Sequence, residues 1–265
     1  MKKIVILFFI GWVTLVYGQK NKESTFDIED FSKKMEVAEW LYKYDMVAWW
    51  TTDSVMTQDK KEIERLGREW FCFEQDNSWH AVYGKYEDNQ FDLIFHFKVD
   101  DKGLITRTNE VVDTTLLHRY SRALQTANKQ LISLQDTVNV IFNQYIKEND
   151  DKTFSVWIFP AFQLNNVAVY GGEFIYTIDQ TGNQILKDNG YFQGQFRGFT
   201  VDTPREIWLG YGEIEKPTLG AIFFAWYYKS YFTKIGIDNS RSTSILFKSD
   251  NNWNWVHIEK EPEKK

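Results

Sequence analysis

Apolar side chains at Ile28, Phe31, Met35, Ala38 and Leu41/Tyr42 recur every three or four residues. This is one stripe of an amphipathic helix, which the pattern carries from Asp27 to about Val55. The charged segment from Gln58 to Arg68 leaves room for a further short turn of helix. From Arg68 to Arg107 the period drops to two. Runs rich in aromatic and branched residues are separated by Gln75-Asp76-Asn77-Ser78, Glu87-Asp88-Asn89 and Asp100-Asp101-Lys102-Gly103. Asn, Asp and Gly are what tight turns require, so these runs predict a four-stranded antiparallel meander. In its third strand Phe91, Leu93, Phe95 and Phe97 alternate with Asp92, Ile94, His96 and Lys98. That alternation predicts one apolar face, with His96 on the other.

A second helix begins at the suitable N-cap Asp113 and carries Leu117, Tyr120, Leu124, Ala127, Leu131 and Leu134 at spacings of three and four. Its register continues through Val138, Ile141 and Tyr145, so a single long helix competes. The β-prone run Thr137 to Phe142 and the turn-like Asn149-Asp150-Asp151-Lys152 argue for an end near Gln135. Beyond that point the pattern predicts strands only, at about 138–147, 153–161, 167–178, 184–198, 205–214, 220–228, 231–237, 243–248 and 253–259. Between Ala221 and Ile237 most positions are apolar or aromatic, which suits a buried strand or a buried helix equally well. No period of roughly 20–50 residues repeats, which disfavours solenoids and propellers. The expected class is α+β: mostly antiparallel β-sheet with two major α-helices, about 27–55 and 113–135, packed on it.

The two ends of the 265-residue chain read differently from its middle. Lys2-Lys3, an apolar run from Ile4 to Val16, and Val16-Tyr17-Gly18 ahead of a polar stretch have the form of a secretory signal peptide over residues 1–18. The run is shorter than the roughly 20 residues a spanning helix needs, so a retained anchor is the weaker reading and no membrane span is expected after cleavage. Residues 19–260 then form a single α+β domain with an optional lobe boundary near 136, and 261–265 a frayed charged tail. With 31 basic and 37 acidic residues the charge is -6. That balance argues against nucleic acid as a partner, which requires clustered Lys and Arg. One Cys excludes a disulfide scaffold, and in an exported protein Cys72, flanked by Phe71 and Phe73, reads as a small buried hydrophobe. The unusual quantity is 11 Trp, 14 Tyr and 21 Phe, or 17% aromatic. These rings either pack a β-rich core or form a stacking surface.

Candidate chemistry is sparse. No HExxH, EF-hand loop, P-loop, GxSxG or GxGxxG motif is present, and His80, His96, His118 and His257 have no local metal-ligand spacing. No cofactor or metal is therefore expected, although a metal site assembled from distant strands stays open. At the end of the first helix Asp45 falls on the extended apolar stripe, where burial would raise its pKa. With Asp53, Trp49 and Trp50 it would make a carboxylate pair beside two indoles, as a sugar site requires. The competing reading is a hydrogen-bonded helix end with Trp packed on a sheet. In the second half Gly171-Gly172 inside a strand mark a bulge or a close backbone approach. Tyr191, Gln193, Gln195 and Arg197 share one strand face, and pairing across a hairpin would bring Glu173 near Arg197. That cluster either orients a polar ligand or is a solvated cross-strand ion pair.

Trp157-x-Phe159-Pro160-Ala161, Tyr170-Gly171-Gly172 and Asp179-x-x-Gly182 have a spacing that resembles uncharacterised exported bacterial α+β proteins, over about residues 138–185. The resemblance implies a periplasmic or secreted setting and carries over no catalytic residues. The leading expectation is a non-enzymatic binding or envelope-associated protein, its partner a ligand or an envelope component. The alternative is a secreted hydrolase acting on carbohydrate through two carboxylates drawn from Asp45, Asp53 and Glu173.

Overall fold

A computed structural model describes residues 26–135 and 137–261. The segment read as a signal peptide, and the tail beyond Glu261, lie outside the described residues. Helix α1 spans Ile28–Met56 and is capped by Asp27, whose side chain accepts from the Asp30 N–H; Glu29 and Asp30 in its first turn suit the positive end of the helix dipole. Phe31, Ala38, Leu41, Tyr44, Val47, Ala48, Thr51 and Val55 are buried along it, extending the stripe seen in the sequence. A short helix, α2 (Lys60–Ile63), leads to the meander β1 (Glu69–Gln75), β2 (Ser78–Glu87), β3 (Gln90–Val99) and β4 (Ile105–Arg107). Asp76-Asn77 and Asp88-Asn89 have positive φ at both positions, which gives two-residue hairpins a twist matching that of their strands.

The third strand does not present a single apolar face. Tyr83 pairs with Phe95 but Gly84 pairs with Leu93, leaving Ile94 as an extra residue. This bulge reverses the alternation: Phe91 and Leu93 join one core while Phe95, Phe97 and Val99 join the other. Gly84 permits it, because a Cβ there would overlap the Asp92 carbonyl and the Phe91 ring.

Helix α3 (Thr114–Lys129) starts at its Asp113 cap as expected but stops six residues before Gln135; a turn separates it from α4 (Ile132–Gln135). The next sheet comprises β5 (Phe142–Glu148), β6 (Phe154–Pro160), β7 (Val167–Ile178), β8 (Ile185–Asp188) and β9 (Tyr191–Thr200). The expected single strand 184–198 is thus two. β8 pairs with the end of β7 and β9 with its beginning, and the β7–β9 pairing is itself interrupted by a bulge at Gly171, where φ is +111°. A third sheet has the order β10 (Glu206–Tyr211), β11 (Lys234–Asn239), β12 (Ser242–Ser249) and β13 (Asn252–Glu259). The pair β10–β11 is parallel, which requires a crossover. That crossover is α5 (Leu219–Tyr228), in place of the strand expected at 220–228. Thr218 caps it, and it is apolar all round because α1 packs on one side and β7 and β11 on the others.

The class is α+β with three mostly antiparallel sheets rather than one. β1 of the first sheet runs beside β5 of the second without pairing to it. α3 lies across one face of this junction, over a core containing Phe71, Val82, Leu117, Tyr120, Ile146 and Phe154. α1 and α5 lie across the other face, with the third sheet beyond α5. Most of the aromatic excess fills these two cores.

Candidate ligand-binding cleft

Where β1 and β5 begin, their unpaired edges part and leave a cleft of about 780 Å³. Its walls are Arg68, Glu69 and Trp70 of the β1 approach, Ser121 to Lys129 of α3, Ile132 of α4, and Ile141 to Gln144 of β5. That volume lies in the roughly 300–1,000 Å³ range of small-molecule sites. Trp70 and Phe142 supply ring surface, and Phe142 is held edge-on by Phe174 and Phe196 at 6.0 and 5.6 Å. Polar groups alternate with them. Asn128 donates to the Leu124 carbonyl (2.9 Å) and to Gln144 Oε1 (2.6 Å), fixing two amides against each other. Ser121 is only 2% exposed and its hydroxyl has no hydrogen-bond partner among the described residues. A buried hydroxyl without a partner costs about 1–3 kcal/mol, and this one lies within the wall of the cleft, closed off from solvent.

Asn143 ties the cleft to the interior. Its Nδ2 donates to Asp45 Oδ1 at 3.0 Å, which also accepts from the Tyr145 hydroxyl at 3.1 Å; the Tyr227 hydroxyl donates to Oδ2 at 2.6 Å. Burial raises the Asp45 pKa, and the three donors oppose that rise. The phenols of Tyr145 and Tyr227 are pushed up by burial and by the neighbouring carboxylate. Asp45 therefore knots α1, β5 and α5 together.

The other sequence candidates fall in three separate places. Asp53 is exposed and eight residues along α1 from Asp45, an axial rise of about 12 Å. That exceeds the roughly 5–9.5 Å between catalytic carboxyl groups of glycosidases, so the Asp45/Asp53 pair does not form. Trp49 and Trp50 are 57% and 44% exposed, and Trp50 lies against the Gly103 turn. Glu173 is buried on β7 and does not meet exposed Arg197; it lies opposite Tyr191, and Arg197 opposite Tyr170. Its carboxylate accepts from the Gly220 N–H and the Thr218 hydroxyl at the start of α5, and burial pushes its pKa up to about 7. Gln193, Gln195 and Arg197 do come together, with Tyr191, Tyr211 and Glu213, in a smaller groove of about 250 Å³. There Gln193 is partly committed, donating to the Gly210 carbonyl at 2.8 Å.

No family model, curated protein or solved structure matches the chain. The site is therefore read from its own geometry. Sequence reasoning did not single out the cleft residues, although one signal was present. Ser121, Gln125 and Asn128 repeat at four and three residues, a polar stripe on α3 beside the apolar one. Two histidines meet elsewhere. His80 Nδ1 and His96 Nε2 are 2.9 Å apart on the α3 side of the first sheet, and burial lowers both pKa values. Among the described residues no cluster of three or more His, Cys, Asp or Glu could hold a metal ion, and no helix is long and apolar enough to cross a membrane.

Proposed function

We propose that this is an exported, non-enzymatic binding protein that holds a small, hydroxyl-rich ligand in the cleft between β1 and β5. The observation that carries the reading is the cleft itself: the amides of Gln125, Asn128, Asn143 and Gln144 alternate with two aromatic side chains on walls drawn from two sheets and a helix. Such a lining hydrogen-bonds hydroxyls while its rings cover apolar ligand faces. Among the described residues of the lining the only carboxylate is Glu69, whereas hydrolysis of a glycosidic bond through paired carboxyls requires two. Export is supported by the charged, apolar and small-residue segments of residues 1–18, and a periplasmic or extracellular bacterial setting accords with the motif spacing over 138–185.

The test is a thermal-shift screen of neutral and acidic sugars, amino acids and nucleotides against the wild type and Gln125→Trp, which places an indole in the cleft. A ligand at a hundred times its Kd stabilises by about 2.7 kcal/mol, or several degrees for a domain of this size. The proposal requires such a shift in the wild type and its loss in the variant. A shift that survives Gln125→Trp, or a panel without one hit, overturns it.

A further inference from the structure

The charge balance of the cleft goes a step further, and this step rests on the binding reading above. Two cations line it from different walls, Arg68 beside β1 and Lys129 at the end of α3, and neither makes an ion pair among the described residues. The acid of the lining, Glu69, offsets one of them in formal charge without pairing to either. Glu69 Oε2 is turned onto the backbone N–H groups of Arg68 (3.0 Å) and Tyr86 (3.4 Å). Two cations against one carboxylate leave the described lining with one positive charge in excess, opposite in sign to the -6 of the whole chain. A concave site with low-dielectric walls focuses such a field on its occupant.

We propose that the ligand is an acidic saccharide, a short uronate chain whose carboxylates lie against Arg68 and Lys129. Its hydroxyls meet the amides of Gln125 and Gln144, and its ring faces cover Trp70. Phosphate is the less suitable anion. Phosphate sites use helix N-termini or glycine-rich backbone nests, but the lining has no glycine and meets the C-terminal half of α3, the negative end of that helix dipole. A singly charged carboxylate surrounded by hydroxyls tolerates that end of the helix better than a phosphate dianion.

Isothermal titration with trigalacturonate and with its fully methyl-esterified form tests this assignment, because the two probes differ in charge and share their ring hydroxyls. The expected result for the wild type is binding of the acid at least tenfold tighter than the ester, weakening as NaCl rises from 50 to 500 mM. Arg68→Gln/Lys129→Gln, at two exposed positions, should bring the acid down to the affinity of the ester and leave the ester unchanged, with an unaltered circular dichroism spectrum. Equal affinity for acid and ester overturns the charge assignment and leaves the cleft reading standing. Acid binding that persists in both Gln125→Trp and the double variant places the sugar elsewhere and overturns both. Absence of binding by either probe overturns the uronate assignment.

Discussion

Glu173→Gln isolates one strongly perturbed titration of the fold, within an ordinary pH range. The carboxyl is 6% exposed, so burial raises its pKa from 4.5 to about 7, against the opposing influence of the Thr218 hydroxyl, the Gly220 N–H and Lys34. A raised pKa means that the folded state binds this proton more tightly than the unfolded chain. The stabilisation is complete below pH 4.5, falls as pH rises to about 7 and is absent above it. At about 1.4 kcal/mol per unit the whole span corresponds to about 3 kcal/mol. Other groups titrate in the same range, including His80 and His96, whose lowered values act in the opposite sense. The difference between variant and wild type cancels them. Glutamine retains an acceptor for the Gly220 N–H and cannot ionise. Urea denaturation at pH 4.5 and pH 8.5 should therefore show the variant gaining about 3 kcal/mol relative to the wild type across that interval. A difference that is the same at both pH values would show that Glu173 does not titrate in this window, and would refute the argument from burial.

Three further outcomes test the packing. Asp45→Ala removes the acceptor of Asn143, Tyr145 and Tyr227 together and should cost about 3 kcal/mol in urea denaturation; a loss below about 1 kcal/mol would show that the knot is not a structural tie. Gly171→Ala places a Cβ 2.5 Å from the Gln195 carbonyl at a φ of +111°, so it should destabilise by about 1–3 kcal/mol, and an unchanged Tm would argue against the β7 bulge. Cys72 is fully buried and burial pushes its thiol up, so a disulfide reagent should label it only in denaturant; rapid labelling of the native protein would contradict its position beneath α1.

What could be read from sequence, and what could not, follows from the periodicities. α1, the meander and the Asp113 cap were legible because each has one wet face and a turn or cap with specific chemistry. α5 was not, since Ala221, Ile222, Phe223, Phe224 and Ala225 are all buried and a helix wrapped on every side has no polar face to reveal its period. The extra residue Ile94 reversed the faces of β3, and the traces it left were the apolar triplet Leu93-Ile94-Phe95 and the small residue opposite, Gly84, at the close approach. Asp45 was correctly marked as a carboxylate on an apolar stripe, but its partners come from β5 and α5, roughly a hundred and more residues away. The cleft was invisible for the same reason. It exists where two sheet edges diverge, and no local pattern encodes the distance between β1 and β5.

The central claim is tested most directly by amide chemical-shift mapping of the isotope-labelled protein titrated with trigalacturonate. The account predicts that saturable shifts concentrate at Arg68–Trp70, Ser121–Lys129 and Ile141–Gln144, with the side-chain amides of Asn128 and Gln144 among the largest. Shifts centred instead on Gln193, Gln195 and Arg197, or spread without saturation, would contradict it.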